Sequence, residues 1–242
     1  MIAKREDLAE WLAAACRPHL TVNETQLVQF ARYLELLLSW NERVNLTAIT
    51  APRDVYVKHF YDSLTPVLVH DFNGRQRLID VGTGAGFPGI PLKIAFPHVR
   101  LTLLDALKKR LAFLETVAEE LALEDVQLIH GRAEELGRDA AHREQYDVAV
   151  SRAVARLNVL SEYCLPFVRQ GGVFIAMKGG QAAGEVQQAH RAVRRLGGGL
   201  VQSFSFALPD GAGERTLCTV VKEKATPQAY PRAPGMPAKK PL

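Results

Sequence analysis

The run DVGTGAGFPG, from Asp80 to Gly89, sets glycines at 82, 84 and 86 between a short apolar stretch and a helix-forming one. A strand, a glycine loop and a helix in that order bring a ligand close to the main chain. Glycine carries no Cβ to hold the ligand off and accepts positive φ at little cost. The spacing G-x-G-x-G differs from the G-x-G-x-x-G of dinucleotide sites, where a pyrophosphate rests on the helix N-terminus. It suits a ligand without phosphate, whose ribose and amino-acid portion lie against the backbone.

S-adenosylmethionine is such a ligand, and the residues at the ends of the following strands fit it. Asp105 closes the next apolar run, 23 residues past Gly82, near the offset at which an acidic side chain meets ribose hydroxyls. It is equally placed to cap the helix that contains Leu107. Ala133 and Glu134, in GRAEEL, fall at the end of the third strand, beside an adenine, or simply open a short helix with an acidic first turn. Arg152 follows the fourth strand, where Ser151, Arg152 and Ala153 end it, and can meet a cofactor carboxylate or the substrate. The cofactor set is therefore Gly82, Thr83, Gly84, Gly86, Phe87, Asp105, Ala133, Glu134 and Arg152. Candidate cations for a polyanionic partner are Arg152, Arg156, Lys178, Arg215, Lys239 and Lys240; each alone is an ordinary solvated charge. His59 is a further candidate at the mouth, or a structural histidine. No paired acid and base stands out, and no chemical catalyst is assigned.

Such a loop needs a sheet behind it. RLIDV (77–81), RLTLLD (100–105), VQLIH (126–130), YDVAVS (146–151) and GVFIAMK (172–178) read as strands alternating with helical stretches. Those helices are expected at 87–96, along Leu107, Leu111, Leu114, Ala118 and Leu121, and at 182–196. Alternation of this kind implies a mainly parallel sheet covered on both faces. LVQSFSFAL (200–208) and RTLCTVVKE (215–223) follow without a helix between them and imply an antiparallel hairpin at one edge. Ahead of the first strand the pattern is helical: Leu8, Trp11, Leu12 and Ala15 share one face, and Leu27, Phe30, Ala31, Leu34, Leu37 and Leu38 share another. Asn23 with Gln26 forms a capping box, and Pro52 opens a helix toward Phe60.

The 242 residues carry a net charge of +4, and its placement is uneven. From Lys222 to Leu242 five basic residues face one acidic residue, which leaves the rest of the chain neutral. Through Arg75 there are eight basic and nine acidic residues, so the helical N-terminus is not a basic clamp. The ending ATPQAYPRAPGMPAKKPL is rich in proline and is expected to be extended, unable to build a core alone. No apolar run is long enough for a membrane helix. Cys16, Cys164 and Cys218 lack any C-x-x-C pairing, which argues against zinc and disulfides and for reduced thiols in the cytoplasm.

DVGTGAGFPGIPLKIAFP, HGRAEEL, VAVSRAVA and AMKGG, in that order, resemble the bacterial 16S ribosomal RNA methyltransferase G family, also called glucose-inhibited division protein B. NERVNLTAIT (41–50), KHFYDSL (58–64) and YPRAPGMPAKKPL extend the resemblance over nearly the whole chain. It implies a class I S-adenosylmethionine-dependent methyltransferase: a Rossmann-like α/β fold with a mainly parallel seven-stranded sheet, a C-terminal antiparallel hairpin and a helical N-terminal region. It implies N7 methylation of one guanine, 527 in standard numbering, in the 530 loop of 16S rRNA, with S-adenosyl-L-homocysteine as product. Cofactor contacts carry over to Gly82, Phe87, Ala133, Glu134 and Arg152. The expected partner is 16S rRNA or the 30S subunit, with no metal or membrane and with the chain as a monomer. The expected division is 1–75 helical region, 76–224 methyltransferase domain and 225–242 basic tail. Two other readings remain at this point, a class I methyltransferase acting on a small molecule and a noncatalytic RNA-binding or ribosome-assembly protein.

Overall fold

A computed structural model describes residues 5–152, 154–180 and 182–242. Ala153, expected at the end of the fourth strand, lies outside them. Helix α1 (Arg5–Cys16) and helix α2 (Glu24–Val44) come first, and Asn23 and Gln26 form the expected capping box. Pro52 opens α3 (Pro52–Val55), but the chain then widens into a π-helical turn (Tyr56–Tyr61) before the single turn α4 (Asp62–Leu64). A mid-helix change of pitch of this kind is uncommon and recurs at functional sites.

Strand β1 (Arg77–Val81) follows, then α5 (Gly89–Ala95), β2 (Arg100–Asp105), α6 (Lys108–Glu120), β3 (Val126–His130) and the short α7 (Ala133–Leu136). Next are β4 (Tyr146–Arg152), α8 (Leu157–Cys164), β5 (Val168–Gly179), α9 (Ala183–Arg195), β6 (Gly198–Ala207), β7 (Glu214–Lys222) and α10 (Met236–Lys239). The first three strands match the sequence reading to the residue. The helix expected at 87–96 begins two residues later, because Phe87 and Pro88 belong to the loop.

The seven strands lie in the order β3-β2-β1-β4-β5-β7-β6. The first five are parallel, and β7 runs antiparallel to both β5 and β6. The order reverses between β1 and β4, so a crevice opens above their C-terminal ends, where open α/β sheets bind ligands. One face of the sheet packs with α1, α2, α5 and α6 in a continuous core that runs from Leu8 and Phe30 through Phe113 to Val150 and Ile175. The other face packs with α8 and α9, through Leu160, Cys164, Ala189 and Val193. The N-terminal helices thus share a core with the sheet and do not form a separate body.

Two side chains explain how α2 docks. A helix leaves its last carbonyls without partners. Gln26 Nε2 donates to Ile94 O at 2.8 Å and Ala95 O at 3.1 Å, and Gln29 Nε2 donates to Leu121 O at 2.8 Å. α2 therefore caps the ends of α5 and α6 while burying its apolar face.

The tail differs from expectation. Its carbonyls are gripped by two arginines: Arg138 Nε donates to Pro231 O, and Arg143 donates to Tyr230 O and Thr226 O. Arg232 binds Glu162 with a shortest contact of 2.5 Å, and Glu162 is almost fully buried on α8. Lys222, fully buried, donates to Leu165 O and Val168 O and pairs with Glu144. The segment is a docked strap, because the rest of the fold supplies the core and donors it lacks alone. Of the five cations from Lys222 onward, Lys222 and Arg232 are neutralised in this way, while Lys224, Lys239 and Lys240 remain exposed. Arg232→Ala is expected to cost about 2 kcal/mol in urea unfolding, since it strands a buried carboxylate. A loss indistinguishable from zero would mean the strap is held without this pair.

Candidate functional site

The glycine loop starts where β1 ends. Gly82 N–H and Thr83 N–H both donate to Leu104 O on β2, at 2.9 and 3.1 Å, and Thr83 O accepts from Gly86 N–H and Phe87 N–H. Asp80 is fully buried beneath the loop. Its Oδ2 accepts the Thr83 hydroxyl at 2.7 Å and Gly89 N–H at 2.8 Å, while Oδ1 has no hydrogen-bond partner among the described residues. Burial pushes this carboxyl up to about 6, against the pull of those two hydrogen bonds.

Above the loop is a cleft of about 530 Å³, within the range of small-molecule sites. One end is lined by Gly82, Thr83, Gly84, Ala85, Asp105, Ala106, Leu107 and Arg110. Asp105 is buried. Its Oδ2 accepts Gly84 N–H at 2.9 Å and meets Arg110 at 3.2 Å, and its Oδ1 accepts Leu107 N–H at 2.8 Å. It therefore both holds the glycine loop and caps the approach to α6. Oδ1, with one donor, keeps a second lone pair for a hydroxyl, whereas Oδ2 already accepts two.

The other end is a wall built from the N-terminal region and β4: Leu46, Thr47, His59, Phe87, Arg152 and Val154. His59 and Phe87 stack, with ring centres 4.5 Å apart and planes 15° from parallel, and the Arg152 guanidinium lies 5.0 Å from the Phe87 ring centre. Arg152 is no loosely held loop residue. It ends β4 with its side chain 14% exposed, and it donates to Lys58 O at 3.2 Å, Asp62 Oδ2 at 3.0 Å and His59 Nδ1 at 3.2 Å. Burial works against its charge, and Asp62 sustains it. Burial and the Arg152 charge hold His59 down to about 3.

Folded His59 is therefore neutral where an unfolded histidine takes a proton. Its contribution to stability is complete above pH 6.5 and is lost as the pH falls from there toward 3. Between pH 7.5 and 5 the wild type is expected to lose about 2 kcal/mol relative to His59→Gln in denaturant titrations. Parallel stability curves for the two proteins would rule out a buried neutral imidazole.

Of the other sequence candidates, Ala133 and Glu134 open α7 beyond the end of β3, outside the lining of the cleft. Glu134 is buried and its Oε1 accepts Gly235 N–H from the strap at 2.9 Å. Lys178 is 11% exposed, paired with Glu185 at 2.9 Å and donating to Ala155 O at 2.7 Å, so its charge is engaged inside the fold. Arg215 meets the second oxygen of Asp62 at 3.3 Å. Arg156, Lys239 and Lys240 are exposed.

Three residues of the site carry no role in the sequence reading. Asp62 lies between Arg152 and Arg215. Tyr33, fully buried on α2, donates its hydroxyl to Ala85 O in the glycine loop and packs on Phe60 and Phe87. Thr47 sits in the wall. Only Tyr33 had a periodic signal, three residues after Phe30 on the buried face. Among the described residues, no group of three or more His, Cys, Asp and Glu is placed to hold a metal, and no helix is long and apolar enough to cross a membrane. The three cysteines are free and buried.

The chain is similar to solved structures at the level of fold. One is the putative methyltransferase complexed with the Haloferax volcanii Trm112 activator (TM-score 0.58, 13% identity, 78% of this chain and 98% of that one). Another is Aeropyrum pernix fibrillarin in complex with natively bound S-adenosyl-L-methionine (TM-score 0.51, 12% identity, 66% and 73%). At higher identity it is similar to the ribosomal RNA small subunit methyltransferase G of Brevibacillus brevis, 49% identical over 98% of this chain and 99% of the relative. It is also similar to that of Listeria monocytogenes, 47% identical over 96% and 98%. A family model described as rRNA small subunit methyltransferase G matches residues 26–210, and the chain belongs to that family.

Proposed function

We propose that this chain is an S-adenosylmethionine-dependent methyltransferase that modifies 16S rRNA, at N7 of guanine 527 in the 530 loop. The observation that carries the reading is the two-ended cleft. At one end a glycine loop and a strand-end acid leave room beside the backbone, where a Cβ added at Gly84 would meet nothing within 4 Å. At the other end a flat wall of Phe87 and His59 stands beside Arg152. Near-full-length similarity to small-subunit rRNA methyltransferases supports the RNA substrate.

The residues fit S-adenosylmethionine. Gly82, Thr83 and Gly84 would receive its amino-acid and ribose portions and Asp105 its ribose hydroxyls, while Gly86, which faces the core, turns the loop; Ala133 with Glu134, beyond the cleft lining, would border the adenine side. When bound, the cofactor supplies an electrophilic methyl group. Guanine N7 carries a free lone pair and no proton, so no side chain has to act as a base. The work left to the protein is to hold the base at the correct angle and distance and to balance changing charge. The stacked Phe87–His59 pair forms a rigid border of the cleft, and Arg152 adds a fixed cation for this.

In this reading residues 1–75 build the acceptor wall, 76–224 form the cofactor fold and 225–242 strap the far side. The chain acts as a cytoplasmic monomer on 16S rRNA or the 30S subunit. Arg156, Lys239 and Lys240 are the exposed cations offered to phosphate. Calorimetry with S-adenosylmethionine, followed by transfer of labelled methyl to 30S subunits from cells lacking the enzyme, tests the reading. Cofactor binding with labelled 16S rRNA is expected. Binding without any label on rRNA would instead favour a small-molecule acceptor.

A further inference from the structure

The stretch NERVNLT carries a hydrogen-bond chain that ends in the cleft. Asn45 leaves α2 in the left-handed conformation, with φ of 47°. Asn41 Oδ1 then accepts both Leu46 N–H at 2.7 Å and Thr47 N–H at 2.9 Å. These contacts fix Thr47 in the wall. From the other side, Arg152 Nη2 lies 3.2 Å from His59 Nδ1. A guanidinium only donates, so Nδ1 is the acceptor. A neutral ring then carries its hydrogen on Nε2, which lies 2.8 Å from Thr47 Oγ1 and donates to it. Ile49 N–H donates to the same oxygen at 3.0 Å. Both lone pairs of the threonine oxygen are thereby taken, and its own proton is left for an acceptor in the cleft it lines.

We propose that the Thr47 hydroxyl donates to O6 of the target guanine and so selects guanine over adenine. This rests on the function proposed above. O6 and N7 share one edge of the base, and adenine replaces O6 with an amino donor. N7 must stay free to react, so a single donor directed at O6 reads the base without blocking the nucleophile. An amino group at that position would face the His59–Thr47 chain hydrogen to hydrogen, and the chain is locked in this direction because Arg152 cannot accept.

The test uses 30S subunits assembled with 16S rRNA that carries guanine, inosine or 2-aminopurine at the target. Inosine keeps O6, and 2-aminopurine lacks it. With the wild-type enzyme, kcat/KM for inosine is expected within about threefold of guanine, and that for 2-aminopurine about ten- to a hundredfold lower, the range for one lost hydrogen bond at a buried site. Thr47→Val should bring guanine and inosine down to the level of 2-aminopurine, Thr47→Ser should restore the difference, and S-adenosylmethionine affinity by calorimetry should stay within about twofold in both variants. Equal wild-type rates on inosine and 2-aminopurine would overturn the proposal whatever the variants do. So would full discrimination by Thr47→Val, or a loss confined to cofactor affinity. If the methyltransferase reading itself were wrong, the wild type would transfer nothing to guanine.

Discussion

Gly86→Ala is expected to destabilise the fold by about 3 kcal/mol, whereas Gly84→Val should leave the fold nearly intact and empty the cofactor site. Both residues have positive φ, +93° and +63°, which costs a side-chain-bearing residue about 1 kcal/mol. They differ in what lies beyond the backbone. A Cβ at Gly86 would come within 2.6 Å of the Tyr33 hydroxyl, 2.7 Å of Ile90 and 2.8 Å of Leu114. All three belong to the packed core between the loop, α2 and α6, and overpacking there adds about 2 kcal/mol. At Gly84 a Cβ would touch nothing, because the loop borders the cleft. Urea unfolding should therefore resolve Gly86→Ala. Calorimetry should show Gly84→Val weakening S-adenosylmethionine by more than about tenfold at a stability cost of about 1 kcal/mol. The reverse pattern, with Gly84→Val unfolding and Gly86→Ala merely binding less, would mean that the two glycines have been assigned to the wrong sides of the loop.

The second large effect is expected at Asp62. Its carboxylate meets Arg152 through one oxygen and Arg215 through the other, and its side chain is 5% exposed. Asp62→Ala leaves the Arg152 charge buried without its counter-ion, a situation that costs about 3 kcal/mol or more. Replacing both partners should cost less than the sum of the single changes, because no charge is then stranded. A cycle of Asp62→Ala, Arg152→Met and the double variant, followed by chemical denaturation, measures this coupling. Additive losses would show that the pair contributes nothing as a pair. Activity should also fall in Asp62→Ala, since Arg152 would no longer be held over Phe87.

The frame of the molecule was legible because buried parallel strands are short apolar runs. Arg77–Val81 runs straight into Gly82, Arg100–Asp105 ends at Asp105, and the half-exposed edge strand Val126–His130 ends at His130, polar or glycine residues that mark the sheet edge. The gathering of Gly82, Thr83, Gly84 and Asp105 at one cleft was legible for the same reason: these residues follow or end strands. The wall was not. His59 and Asp62 lie on a helical segment that changes pitch at Tyr56–Tyr61, which rotates side chains off the faces that periodicity assigns. Thr47 acts through a chain of donors and acceptors closed by Arg152, more than a hundred residues away in sequence. The strap was misread because its partners bind backbone carbonyls, which carry no sequence signature. Composition counts Arg232 only as part of a basic excess, when it is the counter-ion of Glu162.

The central claim is methyl transfer to one guanine N7 in the small-subunit rRNA. 7-Methylguanosine is labile to borohydride reduction and aniline cleavage, so 16S rRNA from 30S subunits treated with this enzyme and S-adenosylmethionine can be mapped by primer extension. The account predicts one new cleavage, at guanine 527 in the 530 loop, absent without cofactor and absent with Gly84→Val. Incorporated methyl that gives no cleavage there, or cleavage at another guanine, would contradict it.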